Sequence, residues 1–247
     1  MAENFRPVAL GSPSDFFGKI RFYCRLALDL QVLTVYRSIK KSAMAVSGSI
    51  LDVGCGASPY KFLFNPDKTQ YMGIDIVDAD KFDYRNSSIV AFNGKEIPFS
   101  DASYDAVLCT EVLEHVQNYQ ALVDEMHRVM KPGSILMVTV PWSARYHYIP
   151  FDFFRYTPST LQEMFKNFKN VKIISRGTDI TSVIAKIMVI WFRNLVPEKG
   201  QMNVFSLFIS VLCIPLILVL ISFAHLSFFL PIGSLEDPLG YTVLAIK

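Results

Sequence analysis

Cysteine is scarce and scattered: Cys24, Cys55, Cys109 and Cys213 include no CxxC pair. That spacing supplies neither a zinc ligand set nor a disulfide framework, so no metal is expected. A reduced, cytoplasm-facing catalytic domain is the simplest reading. Neither sign of charge dominates, since 24 Lys and Arg against 22 Asp and Glu leave a net +2. Nothing in that balance suggests nucleic-acid binding. The start of the chain lacks a signal-peptide core, because Glu3, Arg6, Pro7 and Pro13 interrupt it. The most informative absence is internal. From Val204 to Leu230 there is no Asp, Glu, Lys or Arg. As one helix that run would be roughly 40 Å long, enough to cross a bilayer core.

What surrounds this run is ordinary. The mean hydropathy of +0.31 is high for a soluble protein, but the surplus sits in residues 180–232, while 48–178 carry normal charge density. The 247 residues suit one large domain or a domain with an appendage. Residues 1–13 read as a loose arm. A helix is expected from Ser14, as N-cap, to about Ala45, with Phe17, Ile20, Tyr23, Cys24 and Ala27 near helical spacing. Its basic residues, Lys19, Arg21, Arg25, Arg37, Lys40 and Lys41, suit either contact with anionic lipid or a solvated face on a capping helix.

Strands and helices then alternate. Strands are expected at Ser49–Val53, Tyr71–Asp75, Ser88–Phe92, Tyr104–Cys109, Ser134–Val140 and Val171–Ser175. Helical patterns run from Glu111 to Met130, divisible at Asn118-Tyr119, and onward from Thr157-Pro158-Ser159. Lys131-Pro132-Gly133 reads as the stop of the first helix. Such alternation predicts an α/β fold with a mostly parallel sheet covered on both faces.

The loop Asp52-Val-Gly54-Cys-Gly56-Ala-Ser58 follows the first strand, where doubly wound sheets bind nucleotides. Glycines there permit a sharp turn and close approach of a ligand to the backbone. Asp75 ends the second strand at the separation suited to ribose hydroxyls. A dinucleotide fits less well, because Pro59 occupies the sixth position of the GxGxxG pattern. An ordinary strand–helix turn is the bland alternative for each glycine.

These residues resemble the first motif of class I S-adenosylmethionine-dependent methyltransferases. The likeness continues through Gly73-Ile-Asp75, Ile97-Pro98-Phe99, Tyr104-Asp105, Glu111-Val-Leu-Glu114-His115-Val and Glu125-Met-His-Arg128 to Lys131-Pro132-Gly133. The resemblance implies a Rossmann-like seven-stranded sheet with an antiparallel last strand, formed by Gly240–Ile246 beside the fifth strand. It implies S-adenosyl-L-methionine as cofactor. Gly54 and Gly56 would pass under its methionine and ribose with Asp52 nearby, and Asp75 would bind the ribose hydroxyls. Asn93 would lie near the adenine, and Glu111 would face the pocket. Ser58 stands where the family pattern has a third glycine.

The segment Pro141–Thr157 is dense in aromatic and titratable groups. It is similar to a subgroup of these enzymes associated with cell-surface polysaccharide or lipid-linked sugars. His147 and Asp152 are candidate bases for an oxygen acceptor, and Arg155 could pair with Asp152 or hold an anionic substrate group. A structural ion pair amid core aromatics is the alternative, and His115 reads more simply as a pocket wall.

The expected organisation is an N-terminal arm and basic helix over 1–47, a cofactor-binding core over 48–178, a hydrophobic helical membrane-associated insertion over 179–239, and the final strand over 240–247. A single crossing would strand the last β-element across the membrane. The insertion is therefore expected to form a hairpin, to enter one leaflet and return at Pro215, or to be buried as a soluble subdomain or dimer interface. The leading expectation is a methyltransferase at the cytoplasmic face of a membrane. Its partner would be a membrane lipid or a lipid-linked acceptor such as a glycolipid or quinone precursor. A non-catalytic scaffold and an enzyme for soluble small molecules are the alternatives.

Overall fold

Side chains alternate across each central strand, and both faces they reach are apolar. Ile50, Ala106, Leu108 and Met137 face one core cluster; Leu51, Val53, Val107 and Val138 face another. A sheet buried on both sides is the result. The computed structural model describes residues 10–76, 89–195, 204–230 and 232–247. Most of the expected N-terminal arm, the first residue of the expected third strand (Ser88) and the 197–203 link fall outside them.

The seven strands are β1 (Gly48–Val53), β2 (Thr69–Ile76), β3 (Ile89–Phe92), β4 (Tyr104–Thr110), β5 (Met130–Pro141), β6 (Lys169–Arg176) and β7 (Gly240–Ile246). They lie in the order β3-β2-β1-β4-β5-β7-β6. The first five run parallel, and β7 pairs antiparallel with both β5 and β6. The carboxyl ends of β1, β2 and β4 thus open on one edge of the sheet, the edge that carries the site.

The single N-terminal helix expected from Ser14 is two helices, α1 (Phe16–Leu28) and α2 (Leu30–Ala43). Asp15, not Ser14, caps α1 by accepting from Gly18 N–H. Asp29 causes the break: its backbone is extended, one carboxylate oxygen caps Val32 N–H and the other pairs with Arg25. The Glu111–Met130 pattern is divided as its sequence suggested, with a short 3₁₀ turn at Leu113–His115 before α3 (Tyr119–Val129). Lys131-Pro132-Gly133 lies within β5, not between elements. The β4–β5 register jumps there, from Tyr104 opposite Met130 to Ala106 opposite Ile135. Thr157 caps α4 (Pro158–Met164) as expected.

Between β6 and β7 come α5 (Asp179–Leu195), α6 (Val204–Leu212) and α7 (Ile214–Ser227). The apolar run is therefore not one helix. A bend of 54° separates α6 from α7, with Pro215 in the first turn of α7. Among the described residues no single helix is long and apolar enough to cross a membrane; only this bent pair passes together. The excursion closes at its base, where Asp179 accepts from Ser234 N–H and Ser182 donates to the Asp237 carbonyl. Gly233, at φ +88°, lets the chain pass Asp179, which a Cβ would meet at 2.4 Å. On its inner side α5 buries Ile184 and Met188 in the cluster that α2 also joins.

Candidate active site

The loop after β1 needs left-handed backbone at three alternate positions: Gly54 (φ +69°), Gly56 (φ +50°) and Ser58 (φ +50°). Serine therefore keeps the conformation that glycine would adopt most easily, at a modest cost in strain. Gly54 N–H and Cys55 N–H both donate to the Ile74 carbonyl, which ties the loop to β2. Asp75, at the end of β2, accepts from Gly56 N–H at 2.8 Å. Burial pushes the Asp75 carboxyl up, while the Gly56 and Ile76 N–H groups pull it back part of the way.

Beneath this loop Asp52 is 1% exposed. One of its oxygens accepts from the Tyr71 hydroxyl, and the other is buried without a partner. Burial raises its pKa to about 7 despite the Tyr71 bond.

Glu111 follows β4 with φ +53°, a strained position for a side chain of its size. Its carboxylate is held by Arg176 at 2.7 Å and by Gln31 of α2 at 3.1 Å. Arg176 lies at the end of β6 with a side chain only 1% exposed. It also donates to Thr34 Oγ1, the Val140 carbonyl and the Tyr241 carbonyl, so one guanidinium joins α2, β4, β5 and β7. Gly240 makes room for it, since a Cβ there would lie 2.2 Å from Nη2.

The segment after β5 gathers the other expected residues. Arg155 grips Asp152 through two hydrogen bonds, at 2.6 and 2.8 Å. The Asp152 side chain is 1% exposed and also accepts from His147 N–H. Burial alone would raise its carboxyl, but the Arg155 bonds and the His147 N–H hold it below the ordinary range. That occupancy does not suit Asp152 as the proton acceptor: both oxygens are engaged and the conjugate acid is disfavoured. Asp152 instead faces His147 Nδ1 at 3.0 Å, and the Arg145 carbonyl lies 2.9 Å from the same nitrogen. Two acceptors around Nδ1 place the proton there and leave the lone pair on Nε2.

The His147 ring meets the His115 ring edge-on at 4.9 Å. Nδ1 of His115 lies 2.6 Å from the Phe151 carbonyl, which likewise leaves its lone pair on Nε2. Burial lowers its pKa and favours the neutral ring. Nε2 faces Glu114 Oε1 at 3.6 Å. Glu114 is fully buried and neither of its oxygens has a hydrogen-bond partner. Burial first, then the Glu111 charge, raises its pKa well above the usual carboxyl value.

Asn93 follows β3, and its side-chain oxygen accepts from the N–H groups of Lys95 and Glu96. It lines a cavity of about 430 Å³ with Phe92, Ile97 and Arg128. That cavity shares only Asn93 with the expected site residues. The structure thus clusters Asp52, Gly54, Gly56 and Asp75 around the β1 loop. It joins His147, Asp152 and Arg155 into one hydrogen-bonded set and ties Glu111 to β6. Arg176, Gln31, Tyr71 and Glu114 were missed as site residues, because their roles depend on partners 19 or more positions away, or, for Glu114, on burial.

The acceptor-rich loop end suits a cationic ligand carrying ribose hydroxyls. Asp75 can accept from hydroxyls, while Asp52 Oδ1 and Gln31 Oε1 are buried acceptors lacking donors. Comparison with known proteins points the same way. Residues 51–138 match the methyltransferase domain family. An uncharacterized protein of Methanocaldococcus jannaschii is 32% identical over 128 residues, covering 52% of this chain and 56% of its own. An uncharacterized methyltransferase of Mycobacterium tuberculosis is also 32% identical, over 48% of this chain and 50% of its own. The chain thus spans about half the length of these curated relatives. Among solved structures, a SAM-dependent methyltransferase from Archaeoglobus fulgidus shares the fold at a TM-score of 0.55 and 18% identity, covering 94% of this chain and 100% of that one.

Proposed function

We propose that this protein is a class I S-adenosylmethionine-dependent methyltransferase that methylates a lipid-linked or amphipathic acceptor at the cytoplasmic face of a membrane. The match of residues 51–138 to the methyltransferase domain family and the shared fold support the first half of that reading. The bound cofactor supplies an activated methyl group on a sulfonium. In this reading Gly54 and Gly56 let the backbone approach the cofactor, Asp75 exchanges its Gly56 bond for the ribose hydroxyls, and Asn93 meets the adenine. Asp52 and Glu111 place negative charge near the cationic end.

On the acceptor side, His147 presents Nε2 as the base toward a hydroxyl. Asp152 holds the ring in that tautomer, and Arg155 locks Asp152. Positioning of acceptor and methyl in line supplies much of the rate. The observation that carries the reading is the left-handed glycine loop bonded to Asp75, inside a matched methyltransferase domain.

Membrane association is supported by the outer faces of α6 and α7. Val204, Phe208, Leu212, Leu216 and Val219 are all 58% exposed or more, and α7 carries apolar residues on most of its circumference, interrupted by Ser222, His225 and Ser227. Covering such side chains is worth on the order of 1.5 kcal/mol or more each. Phe16, Phe17 and Ile20 of α1 are exposed beside Lys19 and Arg21, a composition suited to an anionic interface. His225 of α7 bonds the Ala27 carbonyl, so α1 adjoins that surface. Because β6 and β7 are neighbours in one sheet, the excursion must return to the side it left, and the bend near Pro215 suits entry into one leaflet. The reduced compartment is consistent with four free cysteines.

The test is calorimetric titration of detergent-purified protein with S-adenosylhomocysteine, with Asp75→Ala alongside. Binding by wild type and its loss in the variant are expected; no binding by well-folded wild type would overturn the reading. For the membrane half, wild type should float with phosphatidylglycerol vesicles, and a Phe208→Ser, Leu212→Ser, Leu216→Ser, Val219→Ser variant should not. A folded wild type that stays behind refutes association.

A further inference from the structure

We infer that Glu114, His115 and His147 form a binding site for a divalent transition-metal cation, placed to hold an oxygen of the methyl acceptor. One donor atom from each residue lies within 4.8 Å of the others. An ion with bonds of about 2.0–2.2 Å sets adjacent donors about 3–3.5 Å apart. The Glu114–His115 pair is already at 3.6 Å, so side-chain rotations of about 1 Å close the set.

The donors are also electronically prepared. Each imidazole spends its Nδ1 proton on a carbonyl, Phe151 for His115 and Arg145 for His147, and keeps its Nε2 lone pair. His147 has a carboxylate, Asp152, behind Nδ1 as well. Fixing the far nitrogen on a carbonyl or carboxylate is how proteins orient histidine ligands. Against His115 Nε2 stands Glu114, fully buried, with both oxygens lacking any donor, and His147 completes the group within 4.8 Å. Two acceptors that face each other at 3.6 Å without a hydrogen between them repel, unless a proton or a cation intervenes. A cation between them would satisfy both at once.

Two imidazoles and one carboxylate favour Zn²⁺, Fe²⁺, Co²⁺ or Mn²⁺ over Mg²⁺ or Ca²⁺, and three protein ligands leave positions open for an oxygen ligand. A coordinated hydroxyl is more acidic than a free one. With a cation bound, His147 is a ligand; the coordinated hydroxyl would release its proton to bulk water, and the oxygen so freed would take the methyl as the sulfonium leaves as a neutral thioether. This last role rests on the methyl-transfer reading; the binding site itself does not. The four scattered cysteines gave no hint of it, because the donors are oxygen and imidazole nitrogen.

The experiment uses full-length protein freed of metal by chelator and titrated with Co²⁺ by visible absorption and with Zn²⁺ by calorimetry. S-adenosylhomocysteine binding is measured on each sample. We expect saturable binding of one equivalent, weakened at least about tenfold in Glu114→Gln and in His147→Ala, with S-adenosylhomocysteine still bound. Asp152→Asn, which removes the group behind His147, should weaken the metal about 10–100-fold without removing a ligand. No saturable metal binding by a wild type that binds S-adenosylhomocysteine overturns the inference and leaves His147 as base. Binding undiminished in both ligand variants also overturns it. Metal binding without S-adenosylhomocysteine binding would keep the site and remove the methyl-transfer reading.

Discussion

Replacing Arg176 by methionine tests whether a single buried guanidinium holds the site edge of the sheet together. The side chain is 1% exposed and reaches Glu111, Thr34 Oγ1 and the carbonyls of Val140 and Tyr241. Methionine fills similar volume but leaves Glu111 with Gln31 as its donor and strips this donor from Thr34 Oγ1 and the Val140 and Tyr241 carbonyls. Breaking a buried ion pair by removing one partner costs about 3–5 kcal/mol. Glu111 retains 26% exposure and a bond from Gln31, so water can repair part of the loss. The lower end, about 3 kcal/mol, is the expected value. For a chain of this size that lowers Tm by roughly 6–12 °C.

Thermal and urea unfolding, followed by circular dichroism in detergent, would read it. Adding Glu111→Gln to Arg176→Met should recover part of the loss, because the stranded charge disappears. Arg176→Lys should also destabilise, since one ammonium cannot serve the same spread of acceptors. A Tm within about 1 °C of wild type for Arg176→Met, where a shift near 3 kcal/mol is expected, would refute the assignment of Arg176 as the tie among α2, β4, β5 and β7.

Further consequences follow from the same geometry. Gly54→Ala sets a Cβ 2.5 Å from Val112 at φ +69°; a loss of about 1–3 kcal/mol in unfolding free energy is expected, together with weaker S-adenosylhomocysteine binding. Asp52 has its folded pKa raised to about 7 from 3.8. The folded state therefore holds this proton where the unfolded chain has lost it, and the Asp52 contribution to stability falls as pH rises through that window. Asp52→Asn should flatten the urea midpoint between those two pH values; an unchanged slope would refute the shift. Ser58→Gly should leave folding intact or improve it, and Ser58→Val should destabilise, because φ at 58 is +50°. Equal midpoints for the two in urea would contradict the left-handed loop.

Local patterns made much of the fold legible. Short apolar runs marked six strands to within a few residues, the family resemblance supplied the seventh, and Thr157-Pro158 marked a helix start that the Thr157 cap bears out. These signals are local, since strand alternation and capping depend on near neighbours. Boundaries failed where a longer-range partner decided them. The N-terminal helix breaks because Asp29 caps backward and forward at once. The β5 strand begins at Met130 because Tyr104 of β4 pairs with it.

The sequence alone determined the alternation of elements, the glycine loop with its acidic residue on the next strand, and the charge-free excursion after β6. Each is written in residue type at short spacing. Only the tertiary structure decided which charges meet. Arg176 and Glu111 are 65 positions apart, and Gln31 reaches Glu111 across 80. Glu114, next in chain to His115, proved to be a buried carboxyl group without a donor, 3.6 Å from His115 Nε2 and grouped with His147. Burial and partner sets arise when distant strand ends are brought to one edge of the sheet, and no spacing within the chain encodes the distance between them.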